Sequence, residues 1–95
     1  MIDLKPKLVR IRSFAVTTAS QRILDANPRR QAVLIFNNGA TTVYLTSEKE
    51  QAVASGIPNP PSANYENQNF NCTGEYFIIG TAGVDVRVEE DMVSP

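Results

Sequence analysis

The chain has 95 residues, 42% of them hydrophobic and 20% charged, with a formal net charge of −1. That composition describes one small folded domain, too apolar for disorder and too short for a large buried core. With no histidine and a single cysteine, Cys72, it builds no Ser-His or Cys-His pair, no histidine-containing metal site and no intrachain disulfide. The charge is unevenly spread: residues 1–30 carry seven basic and two acidic side chains, residues 31–95 two basic and eight acidic. Two readings stand side by side. The halves make oriented contacts with copies of the chain or with an ordered neighbour, or they pair within one subunit or simply face water.

The first seven residues, with Lys5 and Lys7, read as a flexible basic arm. They lack the apolar stretch and small-residue cleavage site of a secretory signal, and no segment reaches the ~18 apolar residues of a membrane helix. The expectation is a chain made and kept in cytosol, or assembled from it. Asn71-Cys72-Thr73 matches a glycosylation sequon, taken as chance in that compartment, and Cys72 reads as a small core or turn residue.

From Leu8 onward the apolar period is two, not 3.6. Leu8 to Val16 alternates with one mixed face, as a strand at a sheet edge or one crossing between sheets does. A short strand around Arg22-Ile23-Leu24 precedes the turn signal Asn27-Pro28. Gln31 to Phe36 is a continuous apolar run and predicts a strand buried on both faces. Asn37-Asn38-Gly39 followed by β-branched Thr41 to Thr46 predicts a hairpin, because Asn-Gly suits the twist-matched turn. Ser47 and Glu50 fit a capping box for a short helix ending at Gly56, with an irregular loop as the alternative. Pro58, Pro60 and Pro61 predict broken pairing over residues 58–62. The asparagine-rich stretch that follows reads as a polar loop or an edge strand around Tyr65 to Phe70. Thr73-Gly74 turns the chain. Glu75 to Ile79 is another apolar strand, and Gly80 and Gly83 bracket a tight connection. Val84, Val86 and Val88 alternate with Asp85, Arg87 and Glu89 in a strand buried on one face. The whole predicts an all-β fold: a small antiparallel β-sandwich or jelly-roll-like barrel of about six to eight short strands over residues 8–90, with a frayed tail over 91–95.

No phosphate-binding glycine loop is present, and no spacing singles out a catalytic carboxylate pair among Glu48, Glu50, Glu66, Glu75 and Asp85. Glu89-Glu90-Asp91 is a solvated run rather than a calcium site. The expectation is a non-enzyme with no catalytic, cofactor or metal residues. Lys5 to Arg12 carries four positive charges in eight residues. The seven aromatics sit mainly in core-like runs and the pI is near 5.3, so nucleic acid is not the expected partner. Tyr65 in a polar loop suits a sugar or a protein interface.

The run Arg30-Gln-Ala-Val-Leu-Ile-Phe-Asn-Asn-Gly-Ala-Thr-Thr-Val-Tyr-Leu45, then Ser55-Gly-Ile-Pro58, Gly74-Glu-Tyr-Phe-Ile-Ile-Gly80 and Val84-Asp-Val-Arg-Val-Glu-Glu90, resembles small β-sandwich virion proteins of tailed bacteriophages. The resemblance covers residues 29–90. It departs after Gly-Ile-Pro, where such sequences turn with Pro-Gly. Here Pro60-Pro61-Ser62-Ala63-Asn64-Tyr65 has no glycine, which marks residues 59–70 as a specialised surface.

The resemblance implies a capsid decoration (cement) or head-fibre-type protein on the capsid exterior, bound to the major capsid protein and to itself as a homotrimer, with no membrane or cofactor. A small tail or head-to-tail component, or a virion-borne carbohydrate or host-surface module, is the alternative. The expected interface is the basic arm and first strand, Lys5, Lys7, Arg10 and Arg12, meeting an acidic shell or the next subunit's acidic half. Tyr65, Asn67 and Asn69 would face outward or complete a trimer seam.

Overall fold

The computed structural model describes residues 7–46, 56–68 and 70–93. Eight strands appear in chain order: β1 Lys7–Ala15, β2 Gln21–Leu24, β3 Arg30–Asn37, β4 Val43–Thr46, β5 Ile57–Asn59, β6 Asn64–Asn67, β7 Tyr76–Ile79 and β8 Asp85–Val93. A 3-10 turn, Phe70–Thr73, lies between β6 and β7. The strands form two antiparallel four-stranded sheets, ordered β1-β8-β3-β6 and β2-β7-β4-β5. The first strand pairs with the eighth, the second with the seventh, the third with the sixth and the fourth with the fifth. That is one long antiparallel ribbon rolled over a core, the jelly-roll arrangement. The expected all-β sandwich is thus the observed one.

The core follows the period-two pattern. Val84, Val86 and Val88 point inward with Val33 and Ile35 from β3, and Val43, Leu45, Tyr76 and Ile78 close the core from the facing sheet. Two bulges adjust that pattern. One extra residue in β2 lets both Ile23 and Leu24 be buried. Another at Gln31 shifts the register of β3 against β8 and turns Arg30 inward, onto the same face as Val33 and Ile35.

The structure corrects five local expectations. First, Asn37-Asn38-Gly39 does not close a hairpin: β3 and β4 belong to different sheets. A twist-matched two-residue turn needs positive φ at its centre, and among the described residues only Ser62 (φ 64) and Gly83 (φ 88) have it. Asn37 is instead a buried anchor. Its Nδ2 donates to the Thr41 and Asn59 carbonyls at 2.8 and 2.9 Å, and its Oδ1 accepts from the Gly39 N–H at 2.9 Å. Gly39 is needed for space, because a Cβ there would collide with the Val84 side chain.

Second, β3 is buried on one face only, leaving Leu34 and Phe36 half-buried on the other. Burial on both faces occurs in the inner strand β7, where all four residues are buried. Third, β8 does not fray at residue 91. Its residues Asp91 and Val93 pair with β1, Met92 is buried, and the Val93 N–H donates to the Arg29 carbonyl at 2.9 Å. Fourth, Pro58 sits within β5 opposite Tyr44. β5 is an edge strand, so a residue without an N–H is tolerated. Fifth, Lys7 belongs to β1, opposite Val93, rather than to a free arm. The predicted capping box and helix from Ser47 lie outside the described residues.

Candidate functional site

The sequence signal with the largest structural consequence is the inward parity of Glu90. It continues the Val84, Val86, Val88 series and so carries a carboxylate into the interior. A buried charge is tolerated only when paired and hydrogen-bonded. Arg30, also buried, donates through Nε to Glu90 Oε2 at 3.0 Å, and its Nη2 lies 2.9 Å from the same oxygen as an ion pair. Its Nη1 reaches the Cys72 and Gly74 carbonyls at 3.0 and 2.8 Å, and Nη2 the Asp25 carbonyl at 2.6 Å. All three guanidinium nitrogens are engaged. Glu90 Oε1 accepts from Arg12 Nη2 at 3.0 Å. One ionic node therefore ties the end of β2, β3, the 3-10 turn, β8 and β1 together. Sequence reading missed it by treating Glu90 as part of a solvated run.

The internal ion pairs use part of the charge polarity. Arg12, Arg22 and Arg30 from the basic third meet Glu90, Glu75 and Glu90 from the acidic remainder. Arg87 pairs with Asp85, which holds the Asp85 carboxyl below its ordinary value with help from Asn38. Among the described residues, Arg10, Glu66, Glu89 and Asp91 form no ion pair.

Among the described residues, strand β1 is the free edge of its sheet. Leu8, Val9 and Ile11 are 46%, 58% and 66% exposed. By register, Leu8, Arg10, Arg12 and Phe14 share the face that Val88 and Glu90 turn inward, while Val9 and Ile11 share the outer face of Glu89 and Asp91. Arg12 stacks over the Phe14 ring at 5.6 Å. A nine-residue edge strand with apolar side chains on both faces and an unpaired backbone ladder is a template for association.

The predicted interface residues separate into two places. Arg10 and Arg12 lie on β1, as does the backbone of Lys7. Tyr65 and Asn67 lie on β6, the opposite edge of the same sheet, and both point toward the facing sheet. Tyr65 meets Tyr76 edge-on, with ring centroids 6.1 Å apart, and Asn67 Nδ2 donates to Tyr76 Oη at 2.9 Å. Burial pushes the Tyr76 hydroxyl up to about 12, partly offset by the Asn67 hydrogen bond. These residues line a cleft of about 310 Å³ with Leu45, Ile57 and Glu75. Lys5 and Asn69 lie outside the described residues. The loop without glycine takes its strain at Ser62, whose positive φ costs an L-residue roughly 1–2 kcal/mol. The Ser62 N–H donates to the Asn37 carbonyl at 2.8 Å, which holds the loop against that anchor.

On the outer face of the β1-β8-β3-β6 sheet, a shallow groove of about 120 Å³ has Ala32 and Leu34 as its floor and Glu66, Glu89 and Asp91 around it. Asp91 Oδ1 is enclosed there without a hydrogen-bond partner. The sequence showed these acids but not their convergence, because they come from strands far apart in the chain. No family model, curated protein or solved structure matches the chain.

Proposed function

We propose that the chain is a non-enzymatic structural protein of a tailed-phage virion, a decoration subunit that attaches to the assembled head through the major capsid protein. The observation carrying this reading is β1: a long free edge strand, apolar on both faces and bearing Arg10 and Arg12. Such an edge is a liability in a protein that stays monomeric and an asset in one that is covered on assembly. The sequence resemblance over residues 29–90 supplies the virion context. Jelly rolls build both viral shells and lectins, so the fold supports this reading without choosing it. Attachment is adhesive: many weak copies on a lattice acquire strength by avidity.

The test is co-sedimentation of purified protein with undecorated heads, and separately with isolated tails, of the parent phage. Near-stoichiometric pelleting with heads is the expected result. Protein left in the supernatant with heads overturns the decoration reading, and pelleting with tails alone moves the subunit to the tail.

A second reading rests on the cleft lined by Tyr65 and Tyr76. Aromatic rings beside amide and carboxylate groups suit a saccharide. A glycan array distinguishes it, with Tyr65→Ala as the control that should lose any signal.

A further inference from the structure

We infer that β1 of one subunit docks into the acidic groove of a second copy, with Arg10 as the inserted cation. Among the described residues, Arg10, Arg29, Glu66, Glu89 and Asp91 form no ion pair, and Arg10 and the three acids lie on different surfaces of one sheet. Arg10 stands exposed on β1. Glu66, Glu89 and Asp91 surround the groove on the outer face of the same sheet, where Asp91 Oδ1 is enclosed and unpartnered.

Arg10 cannot fill the groove of its own chain. Arg10 is opposite Glu90, on the inward-facing side of the sheet, whereas Glu89 and Asp91 face the other way. An Arg10 that enters such a groove therefore comes from another molecule. A second copy presents a matching pair. Leu8 and Arg10 lie two residues apart on one face of β1, about 7 Å along the strand. Leu34 is opposite Glu89, one strand over and diagonal to Asp91, and such diagonal neighbours are also about 7–8 Å apart. Leu8 therefore reaches the apolar floor while Arg10 reaches the carboxylates.

Symmetric alternatives are disfavoured by like charge. Two β1 strands paired antiparallel about residues 10–12 bring arginines opposite arginines, and two outer faces packed together bring carboxylates onto carboxylates. Donor strand and acceptor groove are different surfaces, so the contact is head-to-tail and closes into a ring or continues as a filament.

The inference rests on reading β1 as adhesive, but its test uses the protein alone, without heads, so it can fail while head attachment stands. Sedimentation equilibrium of the wild type should show self-association that weakens at least tenfold as salt is raised through the physiological range. Arg10→Glu and the double variant Glu66→Lys/Glu89→Lys should each be monomeric at concentrations where the wild type associates. Arg10→Lys should still associate. An equimolar mixture of the two defective variants should regain association, because one retains the groove and the other retains Arg10. A monomeric wild type, association of Arg10→Glu at wild-type strength, or a mixture that stays monomeric would overturn the inference. Unchanged unfolding midpoints verify that the variants are folded.

Discussion

Removing Arg30 should destabilise the domain more than removing any exposed charge. Arg30→Met strands Glu90 as a buried carboxylate, a loss of about 3–5 kcal/mol. It also leaves the Asp25, Cys72 and Gly74 carbonyls without their donors, at roughly 1 kcal/mol each. Arg12 remains within 3.0 Å of Glu90 and holds the loss toward the lower end. A chain of this length has a total stability of about 5–14 kcal/mol, so the variant approaches the unfolding threshold. Glu90→Leu strands Arg30 instead, with a similar first loss. The double variant Arg30→Met/Glu90→Leu removes both charges, leaving mainly the carbonyl cost. The cycle should therefore yield a coupling energy of about 3 kcal/mol. Urea unfolding followed by circular dichroism measures it, and each single variant should lower Tm by more than about 12 °C. Single losses below about 1 kcal/mol, or losses that simply add, would refute the reasoning. Arg87→Ser, at the exposed pair with Asp85, is the control and should leave the midpoint unchanged.

Asn37→Ala leaves two carbonyls and one N–H without partners at the crossover and should cost about 2–3 kcal/mol in the same assay. Asn37→Asp should be worse near neutral pH and partly recover in acid, since its carboxylate faces the Thr41 and Asn59 carbonyls. Alkaline titration of tyrosinate absorbance should show Tyr76 ionising near 12, behind the ordinary value of 10. The unfolded state releases this proton first, so stability is intact below pH 10 and falls as pH rises from 10 towards 12, by up to about 3 kcal/mol. Tyr76→Phe should remove that fall.

Much of the architecture is legible in local pattern. The alternation of Val84, Val86 and Val88, the short strand at Arg22 to Leu24 and the edge position open to β1 follow from a period of two and the residues that interrupt it, and the burial of Cys72 follows from its residue type. The same pattern contains the clue to Glu90, since its parity matches the valines. Its partner could not be read, because Arg30 turns inward only through the bulge at Gln31, sixty residues away in the chain. Asn37-Asn38-Gly39 shows the same limit. The tripeptide suits a hairpin locally, but the rolled ribbon sends β4 to the opposite sheet and makes Asn37 a buried bracket. The candidate interface divides likewise. Arg10 and Arg12 stand out as basic residues on an alternating strand. Only the fold sets Arg12 against Glu90, leaves Arg10 unmatched and gathers Glu66, Glu89 and Asp91 from two strands into one groove. Sequence alone determined that the chain is all-β and where most of its strands run, because that depends on neighbours one and two residues away. Tertiary structure decided which strand lies beside which, and hence which charges are satisfied, because those contacts join residues from opposite ends of the chain.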